Sequence, residues 1–309
     1  MIRIGIIGYG KIARDQHVPA IEGDGSFELA ATVSRKGQGH PGRPCFPSHK
    51  EMIREVADLD AVAICTPPSA RYEIARDCLE AGLHCLLEKP PGMSLGEVEE
   101  LARLAAHRRI SLFTTWHAQH GEAVEATAEL LARRRIASMR IAWREDVRKW
   151  HPGQAWIWEP GGFGVFDPGI NALSIATRIC PGALFVRSAE LDFPAGRQQP
   201  IAARLVLESP AADGPIEADF DWRETKGETW TIETVTDEGR TLMLSGGGAT
   251  LEVDGEAVET EGAGEYPALY RQFAGLVARN ESHVDLAPLR LAAEAFLIGR
   301  REEVEPFEA

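Results

Sequence analysis

Positive charge is in short supply. The 309-residue chain carries 33 Lys and Arg against 47 Asp and Glu, a formal charge of −14. Binding a phosphate backbone needs a surplus of cations, so nucleic acid is excluded as the main partner. Cysteine is scarce as well: the five residues, at 45, 65, 78, 85 and 180, are scattered and form no CxxC pair. That pattern excludes a disulfide framework and offers no zinc signature, which points to the reduced thiols of the cytoplasm. His117 and His120 lack a third nearby donor at metal spacing, so no metal site is expected. No uninterrupted apolar run reaches the roughly 18–20 residues of a membrane span. Nor is there a basic leader with a cleavage site. Met1 leads straight into Ile2-Arg3-Ile4-Gly5-Ile6-Ile7, which reads as a buried strand and not as a signal peptide.

What the chain does have is a globular composition, 44% hydrophobic and 26% charged, at a length that suits two domains. Up to about residue 118, short apolar runs alternate with amphipathic stretches. Ile2–Ile7, Phe27–Val33, Ala61–Cys65, Cys85–Leu87 and Leu112–Thr115 read as strands. Val98, Leu101, Leu104 and Ala105 recur at helical spacing between two of them. Continuously apolar strands separated by helices imply a doubly wound parallel sheet covered on both faces. After that point the pattern changes. A helix is expected over Gly121–Arg135, then runs such as Ala218–Arg223, Trp230–Glu233 and Leu251–Val253 alternate apolar and polar residues. With turns at Asp237-Glu238-Gly239 and Asp254-Gly255 between them, these runs imply an open, mostly antiparallel sheet. Leu269, Phe273, Leu276 and Val277 mark one closing helix, and Leu286, Leu289, Ala293, Phe296 and Leu297 another. The expected division is residues 1–118, an α/β Rossmann domain, and residues 119–309, an α+β domain.

Gly8-Tyr9-Gly10-Lys11-Ile12-Ala13 follows the first strand with dinucleotide-fingerprint spacing, Ala taking the third small position. Gly8 permits the tight turn, and Gly10 lets a pyrophosphate approach the backbone. The helix start at Lys11 and Ile12 offers N–H groups and a positive dipole end. At the second strand's end, where an NAD site carries Asp or Glu, this chain has Ser34-Arg35-Lys36. A hydroxyl and two cations suit the 2′-phosphate of NADP, with NAD tolerated; the alternative is a solvated basic loop. Thr66-Pro67-Pro68 and Glu88-Lys89-Pro90-Pro91 lie at the C-terminal ends of the next strands, where open α/β sheets bind ligands. Lys89 reads in two ways. It is either a surface lysine paired to Glu88, or an ammonium whose pKa is lowered in a crevice beside a cationic nicotinamide. In that second case it can take a proton from a hydroxyl as the neighbouring carbon loses hydride.

The fingerprint, the Glu88-Lys89-Pro90 turn and the parallel-then-antiparallel order together resemble the glucose–fructose oxidoreductase/inositol dehydrogenase family over the whole chain. The resemblance implies that the second domain binds substrate and mediates oligomers through its sheet, as a homodimer or homotetramer. It also implies that Lys89 helps catalysis, that Glu88 touches the nicotinamide ribose, and that the Lys89–Pro90 bond is cis. The stretch Trp143–Leu173, with Asp15-Gln16-His17 and Thr115-Trp116-His117, is similar to the family's bacterial aldose 1-dehydrogenases. Those enzymes oxidise the anomeric carbon of L-arabinose or D-galactose to an aldonolactone with NAD(P).

Within that stretch Asp167-Pro168 also suits a helix start, Asp as N-cap and Pro at N1. Asn171 falls four residues on, so the two share a helix face fit for adjacent sugar hydroxyls. Many family members carry His where this chain has Asn171, which throws more weight on Lys89, with Asp167, for proton transfer. The cluster Trp143, Trp150, Trp156 and Trp158 either stacks on a pyranose or fills an interface. By resemblance Trp150 and Trp230 contact the substrate, with His117 and Glu145 nearby. Two further readings share the fold: an inositol-type dehydrogenase oxidising a ring carbon other than C1, and a nucleotide-sensing regulator without catalysis.

Overall fold

The computed structural model describes residues 1–308. They form two compact units. The first comprises Met1–His117 with Gly264–Leu286, and the second Ala118–Ala263 with Ala287–Ala309. The chain therefore crosses between units three times, where the sequence pattern implied a single crossing near residue 118.

In the first unit, β1 (Ile2–Ile7), β2 (Phe27–Val33), β3 (Cys45–Phe46), β4 (Ala61–Ile64), β5 (His84–Leu87) and β6 (Leu112–Thr114) form one sheet. Their order is β3-β2-β1-β4-β5-β6 and every pairing is parallel. This is the dinucleotide-binding order, with the direction of winding reversing beside β1. The strands are apolar on both faces because helices cover both. On one side α1 (Val18–Gly23) is short. On the other, α2 (His49–Glu55), α3 (Pro68–Glu80) and α4 (Leu95–Arg108) pack Met52, Ala75, Leu79, Leu101 and Ala105 against Ile7, Val62, Ile64 and Leu87. Ser48 and Ser94 cap α2 and α4 by accepting from the N–H groups of Glu51 and Glu97.

The side with only α1 would leave Ile4, Ile6, Phe27, Leu86 and Phe113 partly open to water. The helix Glu265–Arg279 closes it, burying Tyr266, Leu269, Tyr270, Phe273 and Leu276 on those residues. Phe273 stacks on both Phe27 and Phe113. Each such ring or Leu side chain contributes roughly 1.5–3 kcal/mol of burial, which is why a remote segment returns to this sheet.

In the second unit, β7 (Ile136–Arg144), β8 (Phe185–Pro194), β9 (Ala202–Glu208), β10 (Ile216–Asp221), β11 (Thr229–Thr236), β12 (Thr241–Ser245), β13 (Thr250–Val253), β14 (Glu256–Val258) and β15 (Arg300–Val304) form a nine-stranded sheet. Most pairings are antiparallel; β10 with β7 and β15 with β8 are parallel. The expected alternation is visible in β10, where Ala218 and Phe220 are buried and Glu217 is exposed. Between Ala118 and β8 come α5 (Val124–Leu131), α6 (Val147–Trp150) and α7 (Phe166–Ile179). The helix that returns to the first unit is α8, and α9 (Ala287–Ile298) follows it. The helix expected over Gly121–Arg135 is thus shorter, with a 3-10 turn at His117–His120 ahead of it. Helices α7 and α9 lie against the sheet. Ion pairs such as Arg144–Asp219 at 2.7 Å and Arg204–Glu190 at 3.0 Å link partly exposed side chains of neighbouring strands. Among the described residues no helix is long and apolar enough to cross a membrane.

Candidate active site

Gly8 sits at φ +92°, and a Cβ there would lie 2.9 Å from the backbone of Cys65 and Thr66. Both its conformation and its surroundings demand glycine. The N–H groups of Gly8 and Tyr9 donate to Val33 O, each at 3.0 Å, which turns the chain sharply off β1. Gly10 is different: a Cβ there would meet only Gly8 O, at 4.0 Å. Packing within the chain does not require this glycine, and the open approach suits a diphosphate arriving at the helix start at Lys11 and Ile12. Lys11 pairs with Asp15, and Ile12 is 39% exposed.

The helix behind the fingerprint contains a π-helical turn, Ala13–His17. Such extra-residue turns rotate the side chains that follow and concentrate at functional sites. This one carries His17 into the interior, with no exposure. His17 Nε2 lies 3.1 Å from Glu88 Oε1 and Nδ1 lies 2.8 Å from Tyr270 Oη. Tyr266 Oη donates to the same Glu88 oxygen at 2.6 Å. Burial opposes ionisation of Glu88, but the His17 hydrogen bond and charge, with His117 and Tyr266, outweigh it and hold the carboxyl well below the usual range. Burial likewise opposes the charge on His17, yet Cys65, Tyr270 and Glu88 hold its pKa well above normal. Burial, then the Glu88 charge, raise Tyr266, and burial pushes Tyr270 up to about 12. A charged pair therefore lies in the core, satisfied by two phenols.

Glu88 is 4% exposed, and its other oxygen accepts the Lys89 N–H at 2.6 Å. The family resemblance implies a contact of Glu88 with the nicotinamide ribose; in the structure both its oxygens meet groups within the first unit. Lys89 is half-buried, and the Lys89–Pro90 bond is cis. Thr66 and Pro67 are partly exposed at the end of β4, immediately before α3. His117 Nδ1 lies 2.8 Å from Glu265 Oε2, and its ring stacks on Tyr266 at 5.5 Å. Burial works against protonation of His117, and Glu265 more than offsets it, so its pKa is raised. At the end of β2, Ser34 Oγ accepts from the Lys36 N–H at 3.3 Å. This turn leaves Arg35 and Lys36 exposed, and neither is in an ion pair among the described residues.

In the second unit the predicted substrate residues form two groups. Glu145, 4% exposed, accepts indole N–H groups from Trp143 at 3.2 Å, Trp222 at 3.2 Å and Trp230 at 3.0 Å. Trp143 and Trp230 are cross-strand partners of β7 and β11 and stack at 5.5 Å. Trp150, at the end of α6, tilts against Trp230 at 5.6 Å and is 40% exposed. Its indole N–H donates to Glu228 at 3.2 Å, and the Lys149 ammonium lies over its ring. Trp143, Trp158 and Trp222 are thus core residues, whereas Trp230 is half-buried between Trp143 and Trp150, and Trp150 is exposed.

The second group lies on α7. Asp167 is not the cap the sequence suggested: Val165 holds that position, and Asp167-Pro168 stand inside the first turn. The carboxylate is 5% exposed and meets His151 Nε2 at 3.3 Å. Asn171 lies one turn on, half-buried, as the spacing requires. Among these groups, His151, Glu265, Tyr266 and Tyr270 were missed from the sequence. His151 adjoins Trp150 and was within reach, but nothing local marks the others. Glu265, Tyr266 and Tyr270 arrive on α8.

Residues 2–115 match the family model described as "Oxidoreductase family, NAD-binding Rossmann fold". Galactose 1-dehydrogenase of Pseudomonas fluorescens is 45% identical over 306 residues, covering 99% of this chain and 98% of that protein. The crystal structure of D-galactose-1-dehydrogenase from Rhizobium etli superposes with a TM-score of 0.93 at 47% identity, covering 99% and 98% of the two chains. A 3-ketoreductase from Actinomadura kijaniata shares the fold at 20% identity, with a TM-score of 0.81 over 98% of this chain and 99% of its own. Similarity that runs from end to end, on the strand order and glycine turn described above, makes this chain a member of the Gfo/Idh/MocA oxidoreductase family.

Proposed function

We propose that the chain is an NADP-preferring aldose 1-dehydrogenase of the cytoplasm, oxidising the anomeric carbon of D-galactose or L-arabinose to the aldonolactone. The observation that carries this reading is the 45% identity, along nearly the whole chain, to an enzyme named for galactose 1-oxidation. The two sugars share configuration from C1 to C4, so one pocket accommodates both. When bound, the dinucleotide supplies the hydride acceptor. The open approach to Gly10 and the helix start at Lys11 and Ile12 fit its diphosphate. Ser34 and the unpaired cation of Arg35 fit a 2′-phosphate, and Thr66 and Pro67 border the nicotinamide end.

The remaining roles belong to the chain itself. Lys89 Nζ takes the proton of the C1 hydroxyl. Asp167, held by His151, and Asn171 orient ring hydroxyls from one helix face. Trp150 and Trp230 offer flat faces to the C–H side of the pyranose, and Glu145 fixes the Trp230 ring in place. His117, oriented by Glu265, bonds a further hydroxyl. The open sheet of the second unit supports assembly into a dimer or tetramer, which light scattering in solution tests. A panel of aldoses and inositols, assayed with NADP and with NAD for reduced-cofactor absorbance and for product, tests the function. Galactose or arabinose should yield a lactone that hydrolyses to the acid. A keto sugar or inosose as product would assign a ring-carbon dehydrogenase instead, and no turnover with any of them would refute the reading.

A further inference from the structure

Arg71 is 2% exposed, an unusual position for a guanidinium, which tolerates burial only where its N–H groups find acceptors. It stands in the opening turns of α3, directly after the Thr66-Pro67 turn. Nη2 donates to the carbonyl of Thr66, and Nη1 donates to the carbonyls of both Glu88 and Pro90. Those acceptors belong to two turns, at the C-terminal ends of the adjacent strands β4 and β5. Two of them flank Lys89, whose own N–H is held by the Glu88 carboxylate at 2.6 Å. The Glu88–Lys89 peptide is therefore held at both its carbonyl and its N–H, and the carbonyl of Pro90, just beyond the lysine, is held as well.

We infer that Arg71 is a positioning residue for Lys89, joining the two turns into one rigid support that sets where the lysine side chain leaves the backbone. The inference rests on the reading of Lys89 as the proton acceptor. The flat, forked guanidinium reaches carbonyls on two loops at once; an ammonium at the same site is a single point and cannot span them. Misplacing a reacting group by about 1 Å costs on the order of 100-fold in rate, so a residue that never meets substrate controls turnover through this support.

The test compares wild type, Arg71→Met, Lys89→Ala and the double variant, with galactose and NADP. Arg71→Met should lower kcat by about 100-fold, leave the sugar KM within about three-fold, and lower the residual rate of Lys89→Ala by less than about three-fold. Equal losses in both backgrounds, or an unchanged kcat, would overturn the inference. Where Arg71→Met does not fold, Arg71→Lys must give the same pattern. A second arm does not depend on turnover: acetylation of Lys89 by N-hydroxysuccinimidyl acetate, followed by peptide mass mapping. Relative to exposed Lys226, Lys89 should be labelled at least about three-fold faster in the Arg71 variant, because its support is loosened. An unchanged ratio would overturn the inference even for an enzyme of different substrate. Turnover surviving in Lys89→Ala would instead sink the proton-acceptor reading, leaving the labelling arm to judge Arg71.

Discussion

His17 and Glu88 stand 71 positions apart in the chain and meet at 3.1 Å with almost no solvent contact. One comes from the π-helical turn behind the glycine fingerprint, the other from the turn that carries Lys89. The pair joins the helix behind the glycine turn to the C-terminal end of β5.

Its charge state makes stability depend on pH. Glu88 is held below its ordinary 4.5, so its contribution is present above that value and is lost as pH falls through the depressed folded pKa. His17 is held above its ordinary 6.5, so its contribution is full below that value and is lost as pH rises through the raised folded pKa. Thermal unfolding should therefore be latest between these two ordinary values and earlier toward alkaline pH. In His17→Gln the alkaline decline should flatten; a decline as steep as in wild type would refute the assignment.

Lys89→Ala should remove turnover by roughly 10²- to 10⁴-fold, the usual worth of a positioned proton acceptor. NADP binding, followed by quenching of tryptophan emission, should stay near wild type. A variant that lost cofactor affinity in proportion to rate would make Lys89 a binding residue only.

Arg35→Asp should weaken use of NADP by about ten- to a hundred-fold in kcat/KM, the scale of a lost charge-assisted bond, while NAD use changes little. Arg35 is exposed and in no ion pair among the described residues, so the substitution disturbs no internal contact. Equal losses with both cofactors would remove the 2′-phosphate role.

Glu145→Leu leaves three indole N–H groups without their shared acceptor, each at about 1–3 kcal/mol when left buried and unpaired. Sugar KM should rise by at least about ten-fold, with a shift in tryptophan emission, while the affinity for NADP is retained. An unchanged emission spectrum together with an unchanged KM would show that the carboxylate does not fix these rings.

Much of this was legible in the chain itself. Alternating apolar runs and helical spacing marked the first sheet to within a residue at most strand ends, because burial on both faces leaves little choice of residue. Gly8 was readable because its backbone conformation restricts the position to glycine, whereas Gly10 was readable only from the spacing of the fingerprint, since packing within the chain does not require it. Asp167 and Asn171 were readable as one face, since helical spacing is local, although the role of Asp167 as a cap was not upheld.

The rest is non-local. Nothing in residues 264–286 says that α8 belongs with the first sheet; that follows from the apolar face α1 leaves uncovered. Only the fold turned Glu88 inward to His17 and Tyr266, gathered three indoles on Glu145, and buried Arg71 against the carbonyls of Thr66, Glu88 and Pro90. Local sequence determines which elements form and which chemistry each carries. Which charges are stripped of water, and by what partners they are then held, is decided by segments far apart in the chain, because desolvation is a property of the packed interior and not of any one stretch.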